Sequence, residues 1–345
     1  MKQRIVILLL LFAVMGGGFF STTGCAKAKT KDALSLMPEE ASGVVVFNFN
    51  RFAQMPTFDK MIKNSDLKKK ETENPGLFKD YQDFVNKTGI DPKRDINTVL
   101  IGLMGNVSVQ DKDANIVMIL NLKYDKNKIL ALVKDKANEI TEESHNGITI
   151  YKYKDSDGKI MGGAFIDESY IANGNVDSIK KVIDLSKGKG KNVRESLILK
   201  PYLNQMKADA ILSFVFGIPQ ESRKISDSGM FKFDLRKAEA IIGYVDYANR
   251  TWSGLIQLLC KDEQANQQMA SALNMFKTMG ALLGNEGVEF VSKINITATK
   301  DSVKIDGAIS EDLLERIQKK LKEKQQEQNA PKTLPSSTTA PQANN

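Results

Sequence analysis

Residues 98–133, TVLIGLMGNVSVQDKDANIVMILNLKYDKNKILALV, read as two strands followed by a helix. Thr98–Leu103 and Ile116–Tyr124 are apolar runs rich in β-branched residues, and polar and glycine-bearing sequence separates them. Asp125 then opens a stretch in which Ile129, Leu130, Leu132 and Val133 gather on one side of a helix. Such a ββα unit buries one face of an antiparallel sheet beneath its helix, and two units side by side can share a sheet.

Upstream, folding begins at Leu34, and Val44–Phe49 is a strand. Pro56 opens a brief helix with Phe58, Met61 and Ile62 on one side. A second helix has Asn74 as cap, Pro75 at its first position, Leu77, Phe78, Tyr81, Phe84 and Val85 as its apolar face, and Gly89 at its end. Downstream, Gly147–Tyr153 and Lys159–Phe165 join across Asp155-Ser156-Asp157-Gly158, a hairpin signal because Asp and Gly tolerate positive φ. A short strand at Tyr170–Ala172 and a helix from Val176 to Ser186, capped by Asn175, complete this half.

The same order recurs beyond the polar segment Gly188–Arg194. Ala210–Phe216 is a strand, Glu239–Tyr247 and Thr251–Cys260 are a pair, and Asp262 caps a helix to about Leu283. Lys293–Thr299 and Ser302–Ile309 then pair across Lys300-Asp301, and Ser310 caps a last helix through about Leu321. Ile101-Gly102-Leu103 corresponds to Ile242-Gly243-Tyr244, and Tyr124-Asp125 to Lys261-Asp262, at spacings of 141 and 137 residues. The expected fold class is therefore α+β: two diverged repeats, each a strand plus two ββα units, with antiparallel sheets and helices packed on one face. The divisions are a signal peptide (1–24), a lipidated tether (25–33), repeat one (34–187), a linker (188–194), repeat two (195–322) and a disordered tail (323–345) rich in Gln, Asn, Pro, Ser and Thr.

The first two of those divisions rest on the amino terminus. Lys2 and Arg4 precede an uncharged stretch from Ile5 to Ala26, densest in apolar residues from Ile5 to Met15 and broken by Gly16-Gly17-Gly18. A basic start, a short apolar core and small residues before a cleavage point make a secretory signal, although the 22 uncharged residues are also enough for a membrane span. Thr22-Thr23-Gly24-Cys25 resembles the lipobox of bacterial lipoproteins, with Thr22 where that family usually has leucine. The resemblance implies cleavage before Cys25, a diacylglyceryl thioether on its sulfur and acylation of the new amino group. Two or three chains anchor stably where one does not. Ala26 is not the aspartate that retains such proteins at the inner membrane of enteric bacteria, so the resemblance points to the outer membrane, facing the periplasm.

Composition narrows the chemistry. The 345 residues are 41% apolar and 26% charged, enough for a substantial core. Removal of residues 1–24 takes the net charge from +7 to +5, and the five lysines and two glutamates between Lys319 and Asn345 leave only +2 on residues 25–318. Nucleic-acid binding, which needs a concentrated basic face, is not expected. With Cys25 acylated, Cys260 is the one remaining thiol, set in an apolar strand where cysteine behaves as a small buried hydrophobe. The single histidine, His145, reads as an exposed turn residue in Ser144-His145-Asn146-Gly147. One His and one Cys cannot build the usual zinc ligand set. Asp111-Lys112-Asp113-Ala114-Asn115 opens like a calcium loop, but Ile116 and Leu122 stand where glycine and glutamate are required. Gly188-Lys189-Gly190-Lys191 lacks phosphate-loop spacing and reads as a flexible linker.

These features assign no catalytic, cofactor or metal residues, and one modified residue, Cys25. The body, notably Gly89-Ile90-Asp91-Pro92 through Leu103, is similar to uncharacterised bacterial envelope lipoproteins built from repeated α+β halves. The expectation is a non-enzymatic, membrane-anchored module that binds or scaffolds an envelope component through an exposed sheet face. An alternative is a carrier of a hydrophobic ligand beneath the helix bearing Met269, Leu273, Met275, Phe276, Met279 and Leu283. That stripe has the spacing of ordinary core packing.

Overall fold

A computed structural model of the chain describes residues 33–55, 58–59, 77–105, 115–136, 139–155, 158–220, 223, 225–227, 232–234, 236–279 and 284–329. Strand β1 (Ala41–Phe47) leads into the short helix α1 (Phe49–Ala53). Helix α2 (Leu77–Thr88) and the single turn α3 (Pro92–Asp95) lead into the hairpin of β2 (Ile96–Met104) and β3 (Asn115–Leu122). Helix α4 (Lys126–Lys136) precedes β4 (Thr141–His145), β5 (Ile148–Lys154), β6 (Ile160–Phe165) and β7 (Tyr170–Asn175), and helix α5 (Val176–Ser186) follows. A 3-10 turn (Val193–Glu195) and α6 (Lys200–Leu203) connect to β8 (Leu212–Gly217). Then come the small strands β9 (Ile225–Asp227) and β10 (Lys232–Asp234) and the long hairpin β11 (Ala238–Ala248) and β12 (Thr251–Cys260). Helices α7 (Glu263–Met279) and α8 (Asn285–Ser292), strands β13 (Ile294–Ala298) and β14 (Ser302–Ser310), and helix α9 (Glu311–Asn329) complete the described chain.

Local chemistry sets many of these boundaries. Gly89 ends α2 with φ +72°, and Asp91 starts α3 by accepting the Lys93 N–H at 3.0 Å, with Pro92 at the first helical position. Asn175 accepts the Ser178 N–H at 2.7 Å and so caps α5. Asp262 does the same for α7 through the Ala265 N–H at 3.0 Å. The β4–β5 turn places Asn146 and Gly147 at φ +46° and +77°, the pair of positive values that a tight two-residue hairpin demands.

All described strands but β9 and β10 join one antiparallel sheet of twelve, in the order β13-β14-β12-β11-β8-β1-β2-β3-β7-β6-β5-β4. The two halves thus share one sheet, meeting where β1 pairs with β8 through Val44↔Val215 and Val45↔Phe214. Outward from that contact, β1, β2, β3, β7 and β6 on one side match β8, β11, β12, β14 and β13 on the other in order and antiparallel sense.

The two glycines that the sequence reading matches, Gly102 and Gly243, lie in different cross-strand rows. Val44, Gly102 and Val117 lie in one cross-strand row, whereas Gly243 lies in the row of Phe214, Val45 and Ile256. Adjacent rows point to opposite faces. A Cβ on Gly102 would run into the Met37 sulfur, and one on Gly243 into the Phe214 ring. Gly102 and Gly243, matched in the sequence, therefore stand on opposite faces of the sheet. Glycine has no side chain to advertise its face, so the sequence alone does not separate the two positions.

The helices also cover both faces rather than one. On the first face, Val44, Leu100, Val117, Ile119, Ala172, Val215 and Ile242 pack beneath Met37, α5 (Ile179, Val182, Ile183), Val193 and Leu199. On the second face, Phe47, Val99, Met118 and Leu120 meet Phe49, Phe52, Phe58 and Ile90. The Phe47, Phe49, Phe52 and Phe58 rings stack edge-on or tilted at 5.4–6.3 Å. Farther along that face, Leu258, Ile296 and Val303 receive Met269, Ala270 and Leu273 of α7.

Other departures have local reasons. Strand β4 has no counterpart in the sequence reading, because TEESH carries no apolar alternation and is held by its partner β5 alone. Helix α8 is likewise a separate element that the sequence reading does not contain. Helix α9 runs to Asn329, past the expected stop near Leu321 and into residues assigned to a disordered tail, because the Lys-, Glu- and Gln-rich run 322–329 has good helix propensity. Segment 188–194 is no free linker: the Val193 N–H donates to the Met37 carbonyl at 2.7 Å, and the Glu39 N–H to the Lys191 carbonyl at 3.2 Å. Residues 1–32 and 330–345, the calcium-like run 111–114, Asn74, Pro75, Met61 and Ile62 lie outside the described residues.

Candidate functional site

Strands β11, β12, β14 and β13 carry α7 on the second face, and their first face holds a different set of side chains. Its rows are Ile242–Gln257–Lys304–Thr297, Tyr244–Leu255–Asp306–Asn295 and Asp246–Ser253–Ala308. Alternation explains the mixture: residues of one parity build the α7 core, and those of the other parity are released for polar roles. An open cleft of about 380 Å³ lies on this face, lined by Tyr244, Ser253, Ser292, Lys293, Asn295 and Asp306 among others. Gly254 and Gly307 pair directly in its floor.

Charge is organised at one end of the surface. Asp246 is 8% exposed and lies 2.9 Å from the Arg51 guanidinium and 2.7 Å from the Lys207 ammonium. Burial alone would raise the Asp246 pKa. The hydrogen bond from Lys207, the Tyr247 N–H and the Arg51 charge outweigh burial and hold it below the usual carboxylate range. The same bond raises the Lys207 pKa, and the Lys207 ammonium also sits 4.8 Å from the Tyr244 ring centroid. Because Arg51 belongs to α1 and Asp246 to β11, this cluster also ties the two halves together. At the other end of the surface Asn295 donates to Asp306 at 3.2 Å. The arrangement offers donors, acceptors and an aromatic ring.

The sheet ends differ. β4, at one end, carries Glu142 and Glu143, the latter bound by Lys152 at 3.1 Å and Lys180 at 2.6 Å. β13, at the other, is Ile-Asn-Ile-Thr-Ala, with no charge and no proline. Among the described residues no strand pairs with its outer side. Charged residues and proline are the usual devices that keep an edge from accepting another strand; β13 itself has neither, and one end of it is covered by the Lys277 ammonium of α7, which donates to the Ile294 carbonyl.

Residues singled out from the sequence fall as follows. Cys25, the expected lipidation site, lies outside the described residues. Cys260 ends β12 and is 1% exposed. His145 is not a loose turn residue: it ends β4, and its Nε2 lies 2.8 Å from Asp184 Oδ1, contributed by the last turn of α5. The sequence separation of 39 residues hides that contact. Met269 and Leu273 pack into the sheet, whereas Met275 is 60% exposed. The Arg51–Asp246–Lys207 cluster and the uncharged β13 edge are absent from the sequence reading. For β13 a signal exists, the absence of charge in residues 294–298; for the cluster there is none.

No family model matches the chain, and no curated protein matches it. Among solved structures, crystal form III of TP0453 matches with a TM-score of 0.46 at 10% identity, over 84% of this chain and 98% of that one. Crystal form I of TP0453 matches at 0.44 and 12% identity, over 85% and 99%. No described helix is long and apolar enough to cross a membrane, and the chain is an α+β protein on one large antiparallel sheet.

Proposed function

We propose that the chain is a lipid-anchored envelope protein that binds or scaffolds another envelope protein and performs no catalysis of its own. Residues 1–24 export it, Cys25 carries the acyl chains, and the body stands in the periplasm at the outer membrane. Anchoring is supported by Gly24-Cys25 closing an apolar run behind Lys2 and Arg4. The observation that carries the binding role is the uncharged β13 edge beside the open first face of β11, β12 and β14. An extended segment added to β13 would bond through the backbone and lay alternate side chains toward Asn295, Asp306 and Tyr244. The matched strand order about β1 and β8 supports descent of the two halves from one duplicated unit.

Two measurements test this. The amino-terminal peptide of protein purified from its own membranes should begin at Cys25 with acyl additions in its mass, and Cys25→Ser should move the protein to the soluble fraction. A photo-crosslinker at Thr297 in β13 should give a discrete adduct in living cells, while one at Glu142 in β4 should not. An unacylated native protein would end the anchoring claim, and equal crosslinking at both edges the binding claim.

A further inference from the structure

Leu197 is 94% exposed, the most exposed large apolar side chain among the described residues, and its neighbour Ile198 is 38% exposed. A solitary surface leucine would ordinarily mean nothing. This one stands on a built protrusion. Val193 and Leu199 are fully buried on either side. Ser196, 2% exposed, places its Oγ 3.4 Å from the N–H groups of both Ile198 and Leu199. Ile198 in turn lies over Gly217 at the end of β8.

The surroundings of the tip are cationic. Lys187, Lys189, Lys191, Arg194 and Lys200 are all exposed. The acidic group within this segment, Glu195, has its carboxylate engaged by the Asn192 N–H in a capping box. On the adjoining strap, Glu39 is half-buried and Glu40 is paired with Lys181.

The strap also fixes where the tip stands relative to the amino terminus. Residues 37–39 hold residues 191–193 through the two backbone bonds described above and a bridge between Pro38 and Asn192. Ala33, the first described residue, is therefore close in the chain to the tip's own support. From Cys25 to Ala33 are eight peptide steps, which reach at most about 29 Å. An acylated Cys25 thus holds the tip near a bilayer at high effective concentration, and even weak contacts become occupied.

We infer that Leu197 and Ile198 dip into the headgroup region of the leaflet that carries the acyl chains, while Lys187, Lys189, Lys191, Arg194 and Lys200 rest on its anionic lipids. This inference rests on acylation of Cys25 as proposed above. It adds an orientation: the body lies with the 187–200 segment against the membrane instead of tumbling on its tether.

The test is Leu197→Trp in the full acylated chain, a position whose exposure leaves folding unaffected. The protein is reconstituted into vesicles of phosphatidylcholine with about one-third phosphatidylglycerol and brominated acyl chains. Emission from the introduced indole should fall about two-fold against bromine-free vesicles, while Trp252 in the parent chain sets the baseline. Quenching should weaken in high salt, in purely neutral vesicles and with Lys191→Glu plus Lys200→Glu. Intact mass on the same sample separates the failures. Acylated protein whose introduced indole stays unquenched overturns this inference alone, and unacylated protein overturns the anchoring and the inference together.

Discussion

Gly102→Ala should destabilise the fold through one neighbour, and the size follows from the packing. The added methyl would be driven into the Met37 side chain, which is 0% exposed and has nowhere to retreat. Overpacking of this kind costs about 1–3 kcal/mol. Replacing a strand glycine returns about 0.5–1 kcal/mol through the unfolded state, leaving a net loss of up to about 2.5 kcal/mol. Met37→Ala alone should cost about 2–5 kcal/mol, because it leaves a cavity. In the double variant the new methyl enters space that Met37 vacated, so the two losses should sum to at least about 1 kcal/mol less than additivity predicts. Urea unfolding of the Cys25→Ser protein followed by circular dichroism measures the cycle. Gly243→Ala supplies the control: its methyl meets Phe214 on the opposite face, so its cycle with Met37→Ala should be additive within about 0.5 kcal/mol. Additivity for Gly102 with Met37, or coupling for Gly243 with Met37, would refute the assignment of the two glycines to opposite faces.

Further outcomes follow from single contacts. Asp246 has its native pKa depressed, so its stabilising contribution is fully present above the ordinary aspartate range and is lost as pH falls through the native value; Asp246→Asn should flatten that acid limb of a Tm-against-pH profile. The Tyr247 phenol is pushed up to about 12 by burial first and by the Glu311 carboxylate, to which it donates at 3.2 Å. Ultraviolet titration should find an alkaline step missing from Tyr247→Phe, and that variant should lose about 1–2 kcal/mol in urea unfolding. Asn175→Ala removes the cap of α5 and should cost about 1 kcal/mol, whereas Asn175→Ser should retain most of it, as read by the same unfolding curves.

What the sequence makes legible depends on how local each signal is. The hairpin and helix around residues 98–133, the caps at Asn175 and Asp262 and the turn between β13 and β14 depend on neighbours a few residues apart, and all are readable. Strand β4 is legible only once β5 is placed beside it. The covering of the first face by α5, Met37, Val193 and Leu199 joins residues more than 100 positions apart, and periodicity within one element does not say which face a helix will choose. The Arg51–Asp246–Lys207 cluster is the extreme case: three ordinary surface-type residues brought together only by the β1–β8 junction.

That junction also bears on where a partner would meet the molecule. A twelve-stranded sheet has two edges, and both invite pairing with another chain unless managed. At β4 the hazard is met with glutamates and their lysine partners, an arrangement that costs little and repels another strand. Had the β13 edge been under the same demand, one lysine at the exposed Thr297 would have met it, since that side chain packs against nothing in the core. The two ends of one sheet are therefore guarded differently: glutamates and their lysine partners at β4, and at β13 the Lys277 ammonium on the Ile294 carbonyl. On the proposed membrane-facing orientation, the two ends flank a body pinned near its centre, where Ile198 lies over Gly217 of β8; at the β13 end Lys277 takes the Ile294 carbonyl, and the outward backbone groups of Ile296 and Ala298 are the ones a second chain would meet.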